Sequence, residues 1–228
     1  MSVRQLAFDL PHPETYRRES FFVSPANAAA LAAVEADAGW PGGKLVLAGP
    51  AGTGKTHLAH LWAAASGARL IAARQLRSDS LRDLGPRVAV EDADEVAGEP
   101  AAEEALFHLH NLILPAGRLL VTARTPPRDW GLRLPDLLSR MQAAGLARLD
   151  EPDDALLSAV LVKLFTDRQI AVPVALIGWL VSRMERSIAA ARDLVARLDA
   201  RALAEGRPVS RALAAELLDQ PLDSPGGQ

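Results

Sequence analysis

Gly49-Pro50-Ala51-Gly52-Thr53-Gly54-Lys55-Thr56 is the stretch of this chain whose residue types and spacing point most directly to chemistry. It fits G-x-x-x-x-G-K-[ST] in full. In that pattern the glycines let the backbone curl so that several N–H groups face phosphate oxygens. Lys55 then reaches the outer phosphates, and the Thr56 hydroxyl ligates Mg²⁺. A helix opening at Lys55, with His57 in its first turn, adds its positive N-terminal end to the cradle. The cofactors expected are ADP or ATP with Mg²⁺.

A second signal is Val88-Ala-Val90-Glu91-Asp92, an apolar run that ends in two carboxylates. A P-loop site needs one carboxylate near Mg²⁺ and another to orient the attacking water. Glu91 takes the metal position and Asp92 the catalytic one. Glu91 stands where an aspartate is the usual metal partner, and its longer side chain suits octahedral Mg²⁺ less well. Polar groups also follow the apolar run Arg118–Val121, and Thr122 and Arg124 are the candidates there for sensing the γ-phosphate.

These groups need a scaffold. Lys44–Ala48, Arg69–Ala72, Val88–Val90, Arg118–Thr122 and Leu146–Leu149 read as short buried strands, most of them separated by helical or loop-like segments. That alternation implies an α/β fold with a parallel sheet covered on both faces. After Glu151-Pro152-Asp153 only helical periodicity remains through residue 218, broken near Val172-Pro173 and Gly206-Arg-Pro208. The expected organisation is therefore an arm over 1–20, a nucleotide-binding α/β domain over 21–152, an all-helical lid over 153–220 and a tail over 221–228. The 228 residues are 49% hydrophobic and 23% charged, with a net charge of −3 and no cysteine. Disulfides, Cys-ligated zinc and thiol catalysis are excluded, and there is no long basic block of the kind that grips nucleic-acid backbone. No apolar run reaches the length of a membrane span, so the expected compartment is the cytoplasm, with no membrane partner.

Taken together, these residues resemble the DnaA/Hda family of AAA+ proteins, and within it the short Hda-type regulators most. The likeness covers nearly the whole chain. Phe21-Phe-Val-Ser-Pro-Ala-Asn27 resembles the loop that packs near adenine in the family, which implies that Val23 and Asn27 contact nucleotide. Glu103-Glu-Ala-Leu-Phe-His-Leu-His-Asn111 resembles the helix after the acidic strand, and Thr122-Ala-Arg-Thr-Pro-Pro127 matches a stretch ending in the same Pro-Pro. Leu134-Pro-Asp-Leu-Leu-Ser-Arg140 matches the segment that ends in the family's arginine finger. The resemblance therefore implies that Arg140 reaches nucleotide on a neighbouring protomer, where a fixed cation meets charge developing on the γ-phosphate.

Gln5-Leu6-Ala7-Phe8-Asp9-Leu10 resembles the short peptide by which Hda-type proteins dock on the replication sliding clamp. Gln5, Leu6, Phe8 and Leu10 would enter a preformed groove as an extended segment, although Ala7 and Asp9 depart from the commonest forms. The family's lid arginine falls at or near Ala189 here. Arg186 is preferred as its substitute, ahead of Arg192, because it lies nearer a helix start. Residues 154–218 fit the helical lid alone, so sequence-specific DNA binding is not expected.

The family reading is a regulator that docks on the clamp and promotes hydrolysis of ATP bound to DnaA, with weak hydrolysis of its own nucleotide. A self-sufficient ATPase such as a helicase loader, and a nucleotide-dependent scaffold, stay open as alternatives. So does self-association into homo-oligomers.

Overall fold

A computed structural model describes Tyr16, Arg18, residues 21–113 and residues 117–219. The clamp-type peptide with Gln5, Leu6, Phe8 and Leu10 lies outside the described residues, as do most of the 1–20 arm and the 221–228 tail.

All five expected strands form, as β1 (Lys44–Ala48), β2 (Arg69–Ala72), β3 (Arg87–Glu91), β4 (Arg118–Ala123) and β5 (Gly145–Arg148). Every pairing is parallel and the order is β2-β3-β4-β1-β5. Strand side chains alternate between two cores, as a sheet buried on both faces requires. Val46, Val88, Val90, Leu119 and Val121 face one core, and Leu45, Leu47, Ala89 and Leu120 the other. The first core is closed by α3 (Pro100–Ile113) and α4 (Pro135–Gln142), the second by α1 (Ala28–Glu35) and α2 (Lys55–Ser66).

Four helices follow: α5 (Asp154–Asp167), α6 (Val174–Val181), α7 (Ile188–Glu205) and α8 (Arg211–Leu218). They enclose a separate core built on Leu157, Leu161, Phe165, Leu180, Val195, Leu198 and Leu213. Side chains of Asp153, Ser187 and Ser210 cap α5, α7 and α8 by accepting the backbone N–H of the third helical residue, which offsets the unpaired donors of a first turn.

Because β1, β3 and β4 are parallel neighbours, their carboxyl ends lie along one edge of the sheet. That edge is where open α/β sheets present ligand-binding loops. It brings together the loop after β1, the acids after β3 and the polar groups after β4.

Candidate functional site

The 49–56 loop leaves β1 between its two neighbours: Gly49 N–H donates to Ala123 O, and Leu149 N–H to Ala48 O. Gly54, the N-cap of α2, has φ 101°, a left-handed conformation open to glycine at little cost. Lys55 is buried, and its Nζ donates to Gly49 O and Pro50 O at 2.7 Å each. Burial lowers its pKa, Asp92 and Asp94 oppose that, and Arg124 adds to the lowering. Lys55, Asp92, Asp94 and Arg124 thus share one electrostatic neighbourhood. Thr53 is buried, its hydroxyl donating to Pro50 O, whereas Thr56 is exposed on the first turn of α2.

Asp92 is a non-glycine residue at φ 53°. Its backbone N–H donates to Thr122 Oγ1 at 3.0 Å, and Thr122 is 1% exposed. The Thr122 hydroxyl therefore holds the turn that presents Asp92, from beneath the site. Arg124 is exposed beside it, within 4.0 Å of Glu95. Asp94, which the motifs do not single out, has a buried Oδ1 with no hydrogen-bond partner among the described residues. An unsatisfied buried carboxylate oxygen is costly unless a cation or water meets it. Among the described residues no group of three or more His, Asp or Glu side chains could hold a metal ion. Mg²⁺ at a phosphate site keeps several waters and takes only one or two protein oxygens. Thr56 and Glu91, with Asp94 nearby, would be its protein-side neighbours.

The 21–27 loop, expected from the resemblance to lie near adenine, is set from within by Asn27, which is 2% exposed. Its Oδ1 accepts Ser24 N–H and its Nδ2 donates to Phe22 O. Asn27 shapes the loop, and Val23, 52% exposed, is the side chain it displays. His57 meets Phe21 and Tyr16 edge to face, and Tyr16 stacks on His60.

The lid reaches the 49–56 loop directly. Ile188 N–H donates to Gly52 O at 2.8 Å, and a Cβ on Gly52 would lie 2.7 Å from Ser187 Cβ and 3.4 Å from Ala189 Cβ. Ala189 is thus beside the 49–56 loop, and its side chain is a methyl. Arg186 is bonded elsewhere, to Asp154 Oδ1 at 2.7 Å and Pro152 O at 2.9 Å, where the chain enters α5. For Arg186 to read nucleotide, that exposed pair would have to open; such pairs contribute about 0–1 kcal/mol.

Arg140 lies apart from all of this. It is exposed on α4, its guanidinium 5.6 Å from the centre of the Phe107 ring. No carboxylate lies within 4 Å of it among the described residues. Its charge helps to depress the pKa values of Lys44, where burial is the larger cause, and of His110, where burial and Lys44 lead. Lys44 opens β1, whereas the phosphate loop follows the end of β1. Five strand residues separate the two ends by about 13 Å. The histidine–lysine contact also has a defined sense: an ammonium has no acceptor, so Lys44 donates to a neutral His110 Nε2.

Comparison with known proteins bears on the fold and the family. No model of a known protein family matches the chain. Over 91% of its length it is 28% identical to the chromosomal replication initiator protein DnaA of Thermomicrobium roseum, and it spans about half (51%) of that relative. Domain III of DnaA from Thermotoga maritima superposes with a TM-score of 0.78 at 21% identity, over 92% of this chain and 98% of that one. AMPPCP-bound DnaA from Aquifex aeolicus gives 0.65 at 18% identity, over 80% and 64%. A RuvB variant from Thermotoga maritima gives 0.65 at 17% identity, over 85% and 68%.

Proposed function

On the premise that this chain is a DnaA-related AAA+ protein, by its sequence and its fold, we propose that it is a nucleotide-bound regulator of replication initiation that promotes ATP hydrolysis on a DnaA partner. Its own nucleotide, ADP or ATP with Mg²⁺, would sit against Gly49–Thr56, Val23 and the start of α7. There it orders the lid against the α/β domain. Asp92 would orient water for whatever hydrolysis occurs in cis, with Glu91 a less suitable metal partner than aspartate. Docking on the sliding clamp through Gln5, Leu6, Phe8 and Leu10 would bring the protein to DNA-loaded clamps.

One observation carries the reading: Arg140 is an exposed guanidinium seated on Phe107, with no carboxylate within 4 Å among the described residues, and its charge acts on Lys44 at the opening of β1. The groups it acts on, Phe107, His110 and Lys44, lie toward the start of β1, whereas the loop proposed to hold the protein's own nucleotide follows its end. An arginine finger supplied in trans is worth about 10³–10⁵ in rate, and a guanidinium facing outward is available for that role. The test is single-turnover hydrolysis of ATP preloaded on DnaA, with clamp loaded on DNA. Native protein should accelerate it, Arg140→Ala should not, and Gln5→Ala with Leu6→Ala should lose the dependence on the clamp.

A self-sufficient ATPase remains the second reading, because Asp92, Asp94 and Arg124 gather around Lys55. Robust turnover without partner, abolished by Asp92→Asn, would favour it over the regulator.

A further inference from the structure

Glu103 is 2% exposed on the first turn of α3. Its Oε1 accepts N–H bonds from Gly98 at 2.9 Å and Arg133 at 3.1 Å, and its Oε2 from Arg133 at 2.9 Å and Leu134 at 2.7 Å. Burial raises the pKa of such a carboxyl, but the three backbone donors and the Arg133 charge outweigh that and lower it. The group is an anion held by main chain alone, the strong form of hydrogen bond.

What these donors belong to gives the carboxylate its meaning. Leu134 is the N-cap of α4, and its side chain can accept nothing. The N–H of this N-cap, with that of Arg133 before it, is met instead by a carboxylate from α3 at the positive end of α4. Gly98 lies just after the helical turn Ala93–Val96, whose N-cap is Asp92. One side chain therefore joins the segment leaving the nucleotide-site acids to the helix carrying Arg140. Four residues further along α3, Phe107 lies under the Arg140 guanidinium. Three residues beyond it stands His110, which feels the Arg140 charge. Positions i, i+4 and i+7 form one helix face, and that face is the bed of α4.

We propose that Glu103 is the positioning residue for Arg140: it fixes the start of α4, and so where the guanidinium points, relative to the segment that carries Asp92. The proposal rests on the reading of Arg140 as a group offered in trans, and it adds a residue that touches neither nucleotide. Misplacing a reacting or stabilising group by about 1 Å costs on the order of a hundredfold in rate, so a loosened α4 should be visible in turnover before it is visible in folding.

The experiment uses the full chain in the DnaA-bound ATP assay, titrating Glu103→Gln, Glu103→Asp and Arg140→Ala to separate the maximal rate from the half-saturating concentration. ADP affinity and melting temperature are measured on the same samples. Glu103→Gln turns an amide NH₂ toward backbone donors. It should lower the maximal rate by about ten- to a hundredfold at native half-saturation and native ADP affinity. Glu103→Asp keeps the charge one methylene short and should fall between native and Gln. A Glu103→Gln protein that is folded, binds ADP normally and keeps the native maximal rate while Arg140→Ala loses it overturns the proposal and leaves the reading of Arg140 standing. So does a change in half-saturation alone. If Glu103→Gln does not fold, Glu103→Asp decides, and a native rate there overturns the proposal. If Arg140→Ala is itself as active as native, the reading in trans fails and the proposal falls with it.

Discussion

Lys55 bonds the carbonyl oxygens of its own loop, in a place that phosphate oxygens would take over. Native protein with ADP at 100 times its Kd should gain about 2.7 kcal/mol, and Lys55→Ala should lose that gain in a thermal melt. His110 offers a second residue-scale test. Its pKa is lowered from 6.5 to about 4, first by burial and then by the Lys44 charge. The fold therefore favours the neutral ring. As pH falls below about 6.5 the unfolded chain takes up the proton first, and stability declines until about pH 4, where both states hold it. Between pH 7 and pH 5, His110→Gln should flatten the loss of stability in denaturant titrations. An equal slope in the variant would remove His110 as its source.

At the scale of elements, the contact between lid and loop rests on the first turn of α7. Ser187 is 5% exposed, and its hydroxyl accepts Ala190 N–H at 2.9 Å. The next residue, Ile188, donates to Gly52 O. Ser187→Ala should cost about 1 kcal/mol as a lost cap. Because the same turn meets the phosphate loop, ADP affinity should fall with it, and calorimetry on the folded variant reads the two effects separately. The positions of the strands along the chain were legible in the sequence because each is a short, mostly apolar run. What the runs could not convey was their order. Placing β4 between β1 and β3 puts the Thr122 hydroxyl against the Asp92 backbone, so a residue expected to sense phosphate also supports the acidic turn.

For the molecule as a whole, the two proposed roles fall toward opposite ends of β1. The 49–56 loop, proposed to hold nucleotide, follows its carboxyl end, and Arg140 acts electrostatically on Lys44 at its start. Arg140→Ala should therefore leave the protein's own ADP affinity within about twofold of native, a difference of roughly 0.4 kcal/mol, as isothermal titration would measure. A large loss would place the arginine in the protein's own site. Among the described residues, no helix is long and apolar enough to cross a membrane.

The phosphate loop, the acidic strand end and the helical lid were determined by the sequence alone. Each is a local pattern whose chemistry and backbone conformation are carried by adjacent residues: glycines before a lysine, acids after an apolar run, periodic leucines after a proline break. Only the tertiary structure decided which polar groups face the site and which hold it up. Asn27 turned inward to shape its loop, and Arg186 is bonded to Asp154 at the domain junction. Asp94 joined the neighbourhood of Lys55, and Glu103 met donors thirty residues away along the chain. A buried polar group must find its partners wherever packing puts them. Those partners are backbone groups that every sequence possesses, so no residue type announces them in advance.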